Sequence, residues 1–283
     1  MHTADDGHGG KHQVELRATY RVQLHRGFGF DDLSEIVDYL TALGVSHVYC
    51  SPYLQAAPGS THGYDVVDPH RLNAELGGAS AHARMVGALH DAGLGQLLDI
   101  VPNHMAVDPA NRWWWDVLEN GPASHYTRYF DIDWPGTDDR APFTVLVPVL
   151  GDHYGRVLEA GELRLARVGG SFVVRYHEHE LPLSPASLVE TLHAAARRAG
   201  SAELAAAAES IAELPDIRVP DDPAVFERHT RQLELTDELS RLCERRTEVA
   251  EAVDAELVTV SDDADRLDNL LRAQNYRLAL WRT

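Results

Sequence analysis

Apolar and polar positions near the start of the chain follow two alternating rhythms. Residues 18–24 alternate closely enough for a first strand. Asp31 is placed to cap a helix in which Leu33, Ile36, Val37 and Leu40 share one face, and Gly44 supplies its stop. Residues 45–51 read as a second strand. Ser80 then caps a helix with Met85, Val86 and Leu89 inward, ended by Gly93, and residues 97–101 form a third, buried strand. Strands alternating with helices of about a dozen residues predict parallel β/α units joined by right-handed crossovers. The C-terminal ends of such strands meet on one rim. Residues 52–79, after the second strand, make an unusually long connection of the kind that often carries function.

After His104 the rhythm changes. Asp108 and Pro109 open a short helix through Leu118 that Gly121 ends. It holds Trp113, Trp114 and Trp115, and neighbouring helical residues point about 100° apart, so the three cannot all face one core. Packing is the plainer use of these rings, a sugar-stacking platform the sharper one. Short β-like runs follow at 144–149, 156–158, 163–168 and 172–176, which predicts a small β-rich insertion. From Ser187 the pattern is helical, with breaks at Pro215 and Pro220. A long helix over 224–257 carries Leu235, Leu239, Leu242, Val249 and Val253 in near-heptad spacing that Arg246 interrupts, which a local helical hairpin explains at least as well as a dimeric coiled coil. A last helix places Leu267, Leu270, Leu271, Leu278 and Trp281 on one stripe, still in step at Thr283.

The expected organisation is a polar tail over 1–15, three β/α units over 16–104, an insertion over 105–186 and a helical segment over 187–283. A net charge of −19 argues against nucleic acid and against an anionic membrane surface as partners. Cys50 and Cys243 lie far apart without CxxC spacing, so neither a disulfide framework nor a zinc knuckle is expected. The N-terminus has no apolar targeting segment and no run reaches membrane-spanning length, which predicts a cytoplasmic protein.

Two segments carry candidate chemistry. Residues 99–104 read Asp-Ile-Val-Pro-Asn-His and follow the apolar run Gln96-Leu97-Leu98, which puts Asp99, Asn103 and His104 at the mouth of the third strand. Taken alone, the hexapeptide reads equally as a strand stopped by Pro102 and a polar turn. The loop after strand two contains Ser60-Thr61-His62-Gly63-Tyr64-Asp65, where Gly63 permits a sharp turn that presents Tyr64 and Asp65. An aromatic ring beside His and Asp, facing a second His at 104, suits a sugar: the ring packs on a pyranose face and the polar groups bind its hydroxyls. A metal site on His62, His70, Asp99 and His104 is the weaker reading, because their spacing lacks the short His-to-His intervals that hold two imidazoles on one ion.

Together these segments resemble the α-amylase family (glycoside hydrolase family 13). The string 51–69, with the opening Ala18-Thr19-Tyr20-Arg21-Val22-Gln23-Leu24, is similar within it to the maltooligosyltrehalose synthases. The resemblance covers residues 16–135 closely and the helical tail, especially 270–282, more loosely. It implies an α/β fold: a partial (β/α)8 TIM barrel consisting of its first three β/α units, with the β-rich insertion after strand three and a helical segment leading toward strand four. It implies that Tyr64 stacks on the sugar whose bond is broken, that His104 donates to its 6-hydroxyl and that Asp99 orients neighbouring polar groups. His62 and Asp65 join them as substrate-binding residues. Asn103 matches a residue that helps hold calcium in many amylases, but no convergent carboxylates accompany it, so no metal and no cofactor are expected.

The family's chemistry is retaining and needs two carboxyls about 5–5.5 Å apart, a nucleophile and an acid/base. The nucleophile belongs after strand four in an Arg-x-Asp context and the acid after strand five. Neither is read after His104, so the catalytic pair is expected beyond Thr283 and the chain by itself is expected to be inactive. The expected partner is a maltooligosaccharide or other α-glucan. Rival readings are another glucan hydrolase or transglycosidase of the family, and a non-catalytic glucan-binding half-barrel.

Overall fold

A computed structural model describes residues 14–132, 134, 145–217 and 223–281. Most of the expected N-terminal tail, the start of the predicted strand at Thr144, and Pro220 therefore lie outside the described residues. The chain divides into two compact units between Asn111 and Arg112.

Unit one begins with β1 (Thr19–Val22), α1 (Phe30–Glu35), α2 (Val37–Leu43) and β2 (His47–Cys50). The single helix expected after the first strand is broken at Ile36, which leaves helical geometry at φ −99° and ψ 6°. The cap also lies two residues before the expected Asp31. Gly29 is the N-cap and its N–H donates to Asp32 Oδ2 at 2.7 Å, while Asp31 pairs with Arg84. Gly29 is required because a Cβ there would stand 2.7 Å from the Leu76 carbonyl oxygen.

The long connection after β2 is partly regular. It forms an antiparallel pair, β3 (Leu54–Ala56) and β4 (Val66–Leu72), before α3 (Gly78–Asp91) and β5 (Gly95–Leu98). Gly77, not Ser80, caps α3, and Val86 is exposed while Met85 and Leu89 are buried. β1, β2 and β5 form a parallel sheet in that order, with Val22, Cys50 and Leu98 in register at their C-terminal ends. Phe30, Leu33, Leu40, Val48, Cys50, Met85 and Leu89 make its core. The third strand differs from the expected buried one. It ends before Asp99, and Leu97 and Leu98 are each 36% exposed, with Ile100 open beyond them.

Unit two opens with α4 (Arg112–Asn120) and continues through β6 (Val145–Leu150) and α5 (Tyr154–Glu159). An antiparallel meander follows: β7 (Arg164–Val168), β8 (Ser171–Tyr176) and β9 (His179–Pro182). The run at 156–158 is thus helical, not a strand; three residues without alternation carry no strand signal, and one buried side chain, Val157, suffices to seat a helical turn. Pro109 precedes α4 without entering it, and all three tryptophans are half-buried.

Helices α6 (Val189–Ala199), α7 (Ala202–Ala212), α8 (Val225–Arg245), α9 (Thr247–Ser261) and α10 (Ala264–Arg272) complete the unit with β10 (Tyr276–Leu280). The predicted long helix is a hairpin of α8 and α9, and Arg246, at φ −126° and ψ 87°, is its break. The last predicted helix is half right. It stops at Arg272, and Tyr276-x-Leu278-x-Leu280 pairs in parallel with β6. Asn275 fixes the change of direction, its amide donating to the carbonyls of Leu118 (3.3 Å) and Glu119 (2.7 Å) at the end of α4. One apolar core joins Leu118, the meander and the helices.

Candidate functional site

The parallel sheet of unit one collects polar side chains at the C-terminal ends of its strands. Arg21 on β1 and Tyr49 on β2 are register partners, and Asp99 follows β5, its N–H donating to the Cys50 carbonyl at 3.0 Å. Because strand side chains alternate, Val22 and Leu24 turn into the core while Arg21 and Gln23 turn away from it. Arg21 donates to Asp99 Oδ2 at 3.2 Å and to the Tyr64 hydroxyl at 3.1 Å, and its guanidinium lies 4.7 Å from the Tyr49 ring centroid. The hydroxyls of Tyr64 (2.6 Å) and Tyr49 (3.2 Å) both donate to the same carboxylate oxygen.

This cluster fixes its own charges. Hydrogen bonding from Tyr64, reinforced by Arg21 and Tyr49, holds Asp99 below the usual carboxylate range against the effect of burial. The same carboxylate raises Tyr64 above an ordinary phenol. Asp99 is therefore an ionised acceptor and Tyr64 a neutral donor at physiological pH, with the tyrosine ring held in one place.

Tyr64 reaches Asp99 because of the turn between β3 and β4. Gly63 sits at φ +77°, and a Cβ there would lie 2.1 Å from the Pro52 carbonyl oxygen. Gln23 steadies the same turn by donating to the carbonyls of Thr61 (3.2 Å) and His62 (3.4 Å). His62 Nδ1 accepts from the Tyr64 N–H at 3.1 Å and stands 3.6 Å from Asp65 Oδ1. Asp65 also accepts from the Ser60 hydroxyl, which in turn accepts from the Gly63 N–H. Asp65 thus faces back into its loop, and half of the His62 side chain is open.

Of the residues expected at the site, the fold brings Tyr64 and Asp99 into direct contact, with His62 and Asp65 adjoining through the loop. Asn103 and His104 are exposed and bonded to each other (Oδ1 to Nδ1, 3.0 Å), on a segment tied to β4 by the Ala106 N–H donating to Val66 O at 2.9 Å. His62, His70, Asp99 and His104 do not converge; among the described residues no three His, Cys, Asp or Glu side chains form a group that could hold a metal ion. No helix among them is long and apolar enough to cross a membrane.

Arg21, Gln23 and Tyr49 were not singled out by sequence. Their signal was available: each is a polar or amphipathic residue that alternates with buried positions in, or directly after, a strand that ends at the rim. One Arg-x-Asp triplet, Arg266-Leu267-Asp268, also occurs after His104, contrary to the reading above. It lies on α10, not at a strand end, with Asp268 accepting from Tyr154 (2.9 Å) and Arg272 (2.6 Å) and Arg266 bound to Glu256.

Residues 26–153 match the family described as alpha amylase, catalytic domain. A Mycobacterium tuberculosis protein provisionally named maltooligosyl trehalose synthase is 43% identical over 177 residues, covering 60% of this chain and 22% of that protein. A crystal structure titled maltooligosyl trehalose synthase superposes with a TM-score of 0.61 at 30% identity, over 95% of this chain and 26% of that one. The maltooligosyltrehalose synthase of Arthrobacter ramosus gives 0.52 at 41% identity, over 60% and 21%. The resemblance read from the two motifs is shown. The chain spans about a fifth to a quarter of the length of these relatives.

Proposed function

We propose, from an α/β chain with an alpha-amylase catalytic-domain sequence and the likeness of a portion of the maltooligosyl trehalose synthases, that it forms the N-terminal part of such an enzyme. The whole protein would convert the reducing-end α-1,4 link of a maltooligosaccharide into an α,α-1,1 link. The observation that carries this reading is the Arg21–Tyr49–Tyr64–Asp99 cluster at the C-terminal ends of three parallel strands, where parallel α/β barrels keep their chemistry.

In this reading the strands are the first three of a (β/α)8 barrel. Tyr64, held by Asp99 and Arg21, presents its ring to the pyranose at the scissile bond. His104, with Asn103 fixing its ring, donates to the 6-hydroxyl, and His62 and Asp65 line the same rim. The reaction is a double displacement: a carboxylate nucleophile takes the glycosyl group, and the released glucose turns over and attacks through its anomeric hydroxyl. The nucleophile and the acid/base lie beyond Thr283, so this chain binds sugar without turning it over. The exposed apolar positions of β5 and its sequel, Leu97, Leu98 and Ile100, favour a sheet that continues over a free-standing half-barrel.

Titration of the chain with maltohexaose tests the site: binding weakens at least about tenfold in Tyr64→Ala, and equal affinity overturns the assignment. Loss of reducing ends without release of glucose, in the enzyme that continues this chain, separates a synthase from a hydrolase. Isomerisation of maltohexaose by the chain alone would refute the absence of the catalytic pair.

A further inference from the structure

Unit two carries a second aromatic surface. Trp113 on α4 stands 4.6 Å from the Tyr129 ring and stacks on Tyr126 at 5.4 Å with 11° between planes. Tyr126 meets His125 edge-on at 5.2 Å, and His125 lies 5.8 Å from His229 and 6.3 Å from Phe226, both on α8. These rings form one continuous patch. Its outer members face solvent, Tyr129 at 62% and Phe226 at 68% exposure.

The patch is fixed from below. The buried Asp116 carboxylate accepts from the Ser124 hydroxyl (2.5 Å) and the Asn120 amide (3.0 Å), and lies 3.4 Å from His229 Nδ1. Ser124 Oγ accepts from the Tyr126 N–H at 3.0 Å, and the Thr127 hydroxyl donates to the Gly121 carbonyl at 2.9 Å. Rings held this way lose little freedom when a ligand arrives.

An exposed aromatic patch on a rigid base marks a binding surface. Tyr, Trp and His pair an apolar face with a hydrogen-bonding rim. A net charge of −19 disfavours a polyanion. The matching ligand is uncharged, with C–H faces and hydroxyl edges, which is a pyranose. The geometry points to a second α-glucan contact surface, centred on Tyr129, Trp113 and Phe226 of unit two. This inference rests on the α-glucan reading above, and it names a surface which that reading leaves unassigned.

The test is calorimetric titration of the whole chain with maltoheptaose. Wild type binds in two phases, and Tyr64→Ala keeps one of them. In the Tyr64→Ala background, Tyr129→Ala with Phe226→Ala weakens that phase at least about fivefold, whereas Tyr129→Phe keeps it because the ring remains. Both side chains are exposed, so circular dichroism should show an unchanged fold. Loss of all binding in Tyr64→Ala leaves the first site standing and overturns the second. A remaining phase indifferent to the ring substitutions overturns it as well. So does self-association of the chain, measured by sedimentation, that the ring substitutions abolish, since the patch is then an interface between copies. A phase absent from the ring variants but unchanged by Tyr64→Ala supports the second surface even if the first assignment fails.

Discussion

Asp99 in unit one and Glu119 in unit two are both carboxyls near an arginine, and their surroundings drive them in opposite directions. Asp99 receives hydrogen bonds from Tyr64, Arg21 and Tyr49, and is held ionised. Glu119 lines a pocket walled by Phe172, Leu183, Leu188 and Leu235; burial first, and the negative Asp116 second, raise its pKa to about 8. Arg228 beside it is itself pushed down by burial. Glu256, also buried, escapes this fate because Arg198 (3.2 Å) and Arg266 (2.9 Å) both donate to it. Depth and charged donors together decide the charge: burial dominates at Glu119 although Gln232 donates to it, and arginine donors dominate at Glu256. Unit one arranges such donors at a rim where a ligand can reach them, while unit two uses polar groups largely to fasten helices together.

The sharpest way to break this contrast is Arg228→Met. Arg228 donates to Pro215 O (2.9 Å), Asn120 Oδ1 (2.8 Å) and Gln232 Oε1 (3.0 Å), and its loss leaves these three acceptors without their donor and removes a buried positive charge near Asp116 and Glu119. Urea denaturation should show a loss of about 3–5 kcal/mol; less than about 1 kcal/mol would mean that the network is not structural. Gly63→Ala should cost about 1–3 kcal/mol in the same measurement, because the backbone must leave the left-handed region. It should also abolish maltohexaose binding with Tyr64, and a variant with wild-type affinity would sever the link between that turn and the site.

The two carboxyls then give opposite pH dependences. The folded pKa of Glu119 lies above the ordinary value of about 4.3, so its stability is fully present below that pH and is lost as pH rises toward about 8. The slope is at most about 1.4 kcal/mol per pH unit, and Glu119→Gln should flatten it. For Asp99 the folded value is depressed, so its contribution is present above about pH 4 and disappears as pH falls through the folded value. Asp99→Asn should remove that acid limb. The smallest effect belongs to Arg84→Ala: the Arg84–Asp31 pair is bidentate at 2.9 and 2.7 Å but open to solvent, and its loss should leave the denaturation midpoint unchanged.

The parallel units were legible because hydrophobic period and glycine stops agree there: Leu33, Leu40, Met85 and Leu89 are buried where the pattern puts them. The motif residues Tyr64 and Asp99 were legible as neighbours because parallel strands must align their ends. What sequence missed is what depends on partners. Asp31 and Ser80 are good cap residues, yet the tight approach of Gly29 to Leu76 and the left-handed Gly77 set the helix starts. Arg21 was hidden because its role exists only once Asp99, far along the chain, is beside it. Leu278 fits a helical stripe and a strand alternation equally well, and only pairing with β6 chooses between them.

That pairing has a temporal consequence. Val145 is matched to Tyr276 across some 130 residues, and the intervening meander and helices share a core with both strands. At roughly 5–20 residues per second of synthesis, β6 leaves the ribosome about 6–26 s before its partner exists. During that interval the apolar Val145-Leu146-Val147 stretch lacks the strand it pairs with in the fold, and this long-range contact forms late relative to the meander and helices between the two strands. Unit one, whose three parallel strands span only Thr19 to Leu98, can close long before. The nascent chain thus acquires its candidate sugar-binding rim before the unit that follows it.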